Sequence, residues 1–141
     1  MNLSQQKTDD LPQSKTQLSF SGSVLLVDDN AINLKALYEQ LKNLGLTVEQ
    51  AISGAQALDL CRRHRFDLVL MDIQMPSMDG LEASRRIIKL LQEQAPPIIG
   101  VSAHVMDSDI ENAKQAGLSD YLFKPISKIA LLKLLDKYLN Y

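Results

Sequence analysis

Asp28, Asp29, Asp72, Ser102 and Lys124 carry the kinds of groups that handle metal and phosphate. Carboxylates brought together repel one another, and a hard divalent cation relieves that repulsion while taking oxygen ligands. Magnesium suits two or so carboxylates, with its remaining positions left to water and a phosphoryl oxygen. A lysine offers compact positive charge to a phosphoryl oxygen, and a serine hydroxyl can donate a hydrogen bond to another. The stretch MDIQMPSMDG holds a second acid, Asp79, seven residues after Asp72 and just before Gly80. Such a pair could be a metal site, an acid/base pair, or a reactive residue beside a turn residue. Plainer readings exist for each group: Asp28 and Asn30 as helix caps, Ser102 as a loop hydroxyl, Lys124 as a solvated charge at a strand end. These plainer readings lose force together if the fold brings all of the groups to one place.

The elements that position them are legible in the alternation of short apolar runs with amphipathic segments from Ser23 onward, which is the pattern of strand and helix in turn. The runs predict strands over 24–27, 47–51, 68–71, 97–101 and 120–123, and helices over 31–44, 54–64, 81–92, 107–116 and 127–139. Three of the strands are almost wholly apolar, as parallel strands buried on both faces are. In the first helix Leu34, Leu37, Leu41 and Leu44 share a stripe that Gly45 stops. In the third, Leu81, Ser84, Ile88 and Leu91 share one face. The fourth has few core candidates, namely Ile110, Ala113 and Ala116, and the last is apolar enough to be broadly buried. Five βα units with short links predict an α/β fold, an open parallel sheet with right-handed crossovers and helices on both faces. Ligands of such sheets sit beyond the carboxyl ends of the strands. Asp28, Asp29, Asp72, Ser102 and Lys124 all fall at those ends.

At 141 residues and 45% hydrophobic, the chain has material for one domain with a real core. Residues 1–21 are polar and read as a flexible linker or leader ahead of a domain over 22–141. A net charge of -2 spread along the chain gives no reason to expect nucleic acid or an anionic membrane as partner. A single cysteine, Cys61, excludes an internal disulfide, suits a reducing cytoplasm and falls on a helical apolar stripe as a core residue. No run of about 20 apolar residues is present to span a bilayer, and no secretory signal pattern opens the chain.

The segments VLLVDDN, DLVLMDIQMPSMDG, IIGVSAH and DYLFKPI, with spacings of 43, 30 and 22 residues between Asp29, Asp72, Ser102 and Lys124, resemble the receiver domain of two-component response regulators over residues 22–141. That resemblance implies a flavodoxin-like, doubly wound (βα)5 sandwich with strand order 2-1-3-4-5. It implies that Asp72 is the phosphoacceptor, with Asp28 and Asp29 as the acidic pair. Mg2+ would be bound by Asp29, Asp72 and the backbone carbonyl of Gln74. Ser102 corresponds to the hydroxyl that turns toward the phosphoryl group, Lys124 to the lysine that pairs with it, and Tyr121 to the aromatic that moves with the active state. The peptide bond before Pro125 would be cis. Switching would follow from Ser102 and Tyr121 moving together on the face made by helix four, strand five and helix five.

The wording DDNAIN, SAH and AGLSDYLFKPI is most similar to receivers of hybrid sensor histidine kinases. This implies a histidine kinase domain as phosphodonor, a histidine phosphotransfer domain as acceptor, and a cytoplasmic chain whose parent can be anchored in the inner membrane. A stand-alone single-domain response regulator is the alternative. Neither His64, in the basic RRHRF segment, nor His104, read as a loop residue rimming the site where it can tune water access, fits a phosphodonor. Ile32 lies off the apolar stripe of the first helix, near the site, and is a candidate contact for a phosphotransfer bundle. A phosphatase using an aspartyl phosphate would carry a second acid two residues after the nucleophile, where Gln74 stands. A purely structural interaction module would not need all five groups.

Overall fold

The computed structural model describes residues 19–75, 79–103 and 107–139. Its elements run β1 (Ser23–Val27), α1 (Ala31–Asn43), β2 (Thr47–Ala51), α2 (Gly54–Arg63), β3 (Leu68–Asp72), α3 (Gly80–Leu91), β4 (Ile98–Ser102), α4 (Asp107–Gln115), β5 (Asp120–Phe123) and α5 (Lys128–Leu139), with a short 3-10 turn at Gln92–Gln94. The five strands form one parallel sheet in the order β2-β1-β3-β4-β5, as expected. β3 and β4 are buried at every position, whereas the edge strand β2 buries only Val48 and Ala51. The fourth strand begins one residue later than expected because Pro97 has no N–H to donate; its carbonyl still accepts from Val69 N at 3.0 Å.

Alternation along the strands divides the core into two layers. On one side Val24, Leu26, Leu68, Leu70, Ile99 and Val101 meet α1 and α5 through Leu34, Leu41, Leu131, Leu134 and Leu135. On the other, Leu25, Val27, Val69, Met71, Ile73 and Ile98 meet α2, α3 and α4. Each large side chain withdrawn from water this way contributes about 1.5–3 kcal/mol. Cys61 is one of the packed residues, and burial pushes its thiol up to about 11, so it is core rather than chemistry.

Local signals set the helix ends. Asn30 caps α1, its side chain accepting from Ile32 N and Asn33 N, and Ser53 caps α2 through Gln56 N. Gly45, at φ +98°, turns the chain after α1, and a Cβ there would meet the carbonyl oxygen of Phe20 at 2.7 Å. Phe20, in the polar segment ahead of the first strand, itself packs on the α1/α5 layer and donates its N–H to Leu44 O at 2.8 Å.

Two helix faces differ from expectation. In α3 Ser84 is buried as expected, but its buried companions are Gly80, Ala83 and Ile87, while Leu81, Ile88 and Leu91 flank them. The helix approaches the sheet through its small residues, which a count of large apolar side chains overlooks. In α5 the buried set is Leu131, Leu134 and Leu135, and Ile129 is 68% exposed, so the helix is less enclosed than its composition suggests.

Candidate functional site

The carboxyl ends of the strands bring the acids together. One carboxylate oxygen from each of Asp28, Asp29 and Asp72 lies within 4.8 Å of the others. Asp28 and Asp72 are buried and Asp29 is exposed. Asp28 follows β1 and is held by its own N–H bonding Ala51 O at 3.1 Å and by Asn30 N bonding its Oδ1 at 2.9 Å. The cap of α1 is thus Asn30, and the Asp28 carboxylate is turned to the site. Asp72 ends β3, with Gln74 N donating to its Oδ1 at 3.0 Å, which brings the Gln74 backbone beside the acids.

Lys124 arrives from the far side of the sheet. Its Nζ lies 3.3 Å from Asp28 Oδ2 and 3.5 Å from Asp72 Oδ2, and its N–H binds Ser102 O at 2.8 Å. The Lys124–Pro125 peptide bond is cis. Ser102 is buried at the end of β4, beside Phe123 in the parallel register. Tyr121 is half-buried against the α2–α4 layer, and its ring is tilted 46° to that of Phe123 with centroids 5.1 Å apart. Asp28, Asp29, Asp72, Gln74, Ser102 and Lys124 therefore gather at one end of the sheet.

Burial pushes the Asp72 carboxyl above the usual aspartate range, and the charge of Asp28 adds to the shift; the Gln74 N–H and Lys124 offset it only in part. One ammonium cannot neutralise three clustered carboxylates. Oxygen-only donors in excess of the available positive charge fit a hard divalent cation of the magnesium or calcium kind.

Asp79 is separate from this group. It caps α3, accepting from Glu82 N at 2.8 Å. Ile32 is 80% exposed on the first turn of α1. His64 is exposed after α2, with its ring 6.2 Å from that of Phe66, remote from the acids in the fold. His104 and Pro76 lie outside the described residues.

Two features escaped the sequence reading. Gly80 is pressed against the Asp72 main chain: a Cβ there would stand 2.2 Å from Asp72 O, 2.5 Å from Ile73 Cα and 2.8 Å from Asp72 C. The buried Ser84 hydroxyl donates to Gly80 O at 2.7 Å and completes that first turn. The glycine after Asp79 was the available signal, but close approach to the Asp72 peptide is a tertiary fact. The second feature is a groove of about 790 Å3 running from Asp28 and Lys124 between α1 and the β5–α5 link, floored by Leu26, Leu70 and Val101.

Comparison with known proteins decides the family. The response regulator receiver domain family matches residues 24–136. This chain belongs to that family. It is 45% identical over 116 residues to the signal transduction histidine-protein kinase BarA of Escherichia coli K12, covering 82% of this chain and 13% of BarA, so it spans a small fraction of that relative. It is 37% identical over 118 residues to the polar-differentiation response regulator DivK of Brucella anthropi, covering 84% of this chain and 96% of DivK. The receiver domain of the sensor histidine kinase PA1611 of Pseudomonas aeruginosa, crystallised with magnesium in its active-site cleft, superposes with a TM-score of 0.77 at 36% identity, covering 86% of this chain and 99% of that one. The chain is a receiver module of two-component signal transduction.

Proposed function

We propose that Asp72 accepts a phosphoryl group from a phosphohistidine and passes it to a histidine phosphotransfer domain, as one relay of a hybrid sensor histidine kinase. The observation that carries this reading is the convergence of Asp28, Asp29 and Asp72 around Lys124 at one end of the sheet. An Asp72 carboxylate oxygen attacks phosphorus, the P–N bond to the donor imidazole breaks, and the bond electrons leave with the imidazole nitrogen, which is protonated by solvent. The product is an acyl phosphate.

Lys124 holds positive charge against the phosphoryl oxygens, and the Ser102 hydroxyl donates a hydrogen bond to one of them. Asp29, Asp72 and the Gln74 carbonyl would hold Mg2+, with Asp28 beside them. The ion would supply charge neutralisation and orientation at the phosphoryl group. Ser102 and Tyr121 form the switch, and the residues over 22–141 are the receiver domain behind a linker over 1–21 whose Phe20 is clasped onto it. Hydrolysis of the acyl phosphate is self-catalysed, so the domain is both acceptor and phosphatase of itself.

The phosphodonor is a histidine kinase domain. The exposed Ile32 and the groove alongside α1 support docking of a helical phosphotransfer bundle on that side of the acids. Among the described residues no helix is long and apolar enough to cross a membrane, consistent with a module working in the cytoplasm whatever anchors its parent. A second reading, a single-domain response regulator, is favoured by the match over nearly the whole of DivK. The test is labelling with acetyl phosphate and Mg2+: the native protein gains an alkali-labile phosphate and Asp72→Asn gains none. Undiminished labelling of that variant removes Asp72 from the role. Passage of the label to a purified phosphotransfer domain then favours the relay over the stand-alone regulator.

A further inference from the structure

Gly100 lies in the middle of β4, between Met71 of β3 and Tyr121 of β5. Its missing side chain would face the α2–α4 layer, as Ile98 two residues earlier does. A Cβ there would stand 2.6 Å from Leu118 Cδ2, 3.4 Å from Ile73 Cγ2 and 3.5 Å from Tyr121 Cδ2. The gap at Gly100 is therefore filled by the tip of Leu118, with Ile73 and Tyr121 as its walls. Those walls are the residue directly after Asp72 and the aromatic assigned to the switch.

Leu118 is tied to the end of α4. Gly117, at φ +94°, donates to Lys114 O at 3.0 Å, and Leu118 N donates to Ala113 O at 3.1 Å, the paired bonds of a Schellman stop. Among the described residues α4 has little else to hold it: Ala113 and Ala116 are buried and Ile110 is half-buried. The buried large side chain at that end of the helix is Leu118, and its seat is the space a side chain at position 100 would take. On the Asp72 side, Ile73 N binds Val101 O at 3.2 Å, so the chain leaving the acid is fastened to the same strand.

We infer that Leu118 seated at Gly100 is a latch that sets how readily α4 and Tyr121 shift when Asp72 changes state. This inference rests on Asp72 as phosphoacceptor and Tyr121 as switch. The atom nearest the gap is the far end of a flexible side chain, so Gly100→Ala unseats Leu118 without displacing backbone. Leu118→Ala empties the seat. A protein with both substitutions has a methyl in part of the space that the leucine left.

The experiment is amide hydrogen exchange across residues 108–115 in the four proteins, with and without Mg2+ and beryllofluoride, alongside acetyl phosphate labelling of Asp72. Each single variant is expected to raise α4 exchange about tenfold without beryllofluoride and to blunt the further change on adding it. The double variant returns to within about threefold of the native protein. Native exchange rates in either single variant, or a double variant as open as the worse single, overturn the latch. Absence of labelling in the native protein would instead overturn the phosphoacceptor reading, while the exchange rates without beryllofluoride still decide whether the seat holds α4.

Discussion

Burial and the Asp28 carboxylate both favour the protonated form of Asp72. The folded protein therefore holds a proton on Asp72 more tightly than the unfolded chain does, so the ionised side chain destabilises the fold fully above its raised folded pKa. That cost is relieved as pH falls through the raised value toward the ordinary aspartate pKa of about 4. Metal-free Asp72→Asn is expected to melt roughly 2–5 °C above the native protein near neutral pH, with the gap closing in acid. Calorimetry across that range checks it, and equal melting temperatures at neutral pH would remove the repulsion. Gly80 makes a second residue-scale prediction with an inverted sign. Alanine ordinarily suits a helix better than glycine by about 0.5–1 kcal/mol. Here the atoms a methyl would meet belong to the Asp72 and Ile73 backbone. Gly80→Ala should cost roughly 1–3 kcal/mol in chemical denaturation and slow Asp72 labelling.

Elements were legible where the chain signals by type and period. The apolar runs located all five strands, the leucines of α1 marked its stripe, and the acids, Ser102 and Lys124 fell at strand ends because parallel strands share a direction. What escaped depends on contact between distant segments. Besides the expected Ser84, the face of α3 is built on Gly80 and Ala83, whose smallness matters only against the sheet, and the role of Phe20 appears only where it meets Leu44. Ile32 belongs to this scale because α1 presents it 80% exposed, two residues past the Asn30 cap. Ile32→Glu is expected to cut phosphotransfer with a phosphotransfer domain at least about tenfold, as the loss of an apolar anchor does. Labelling of the same variant by acetyl phosphate should stay native, and unchanged transfer would take Ile32 out of the interface.

For the whole molecule, a cation bound by the folded acid cluster and not by the unfolded chain adds stability by mass action, about 2.7 kcal/mol at a hundredfold excess over its dissociation constant. Magnesium titration should raise the melting temperature of the native protein and do so much less for Asp72→Asn; equal shifts would place the ion elsewhere. The clasp of Phe20 on the α1–β2 turn has a consequence for reach. Because β1 starts there and ends at Asp28, a donor joined to this polypeptide ahead of Ser19 is moored at the opposite pole from Asp72, a five-residue strand or about 16 Å away. Any donor tethered there would have to reach past the full length of β1 to meet the acids at its other end.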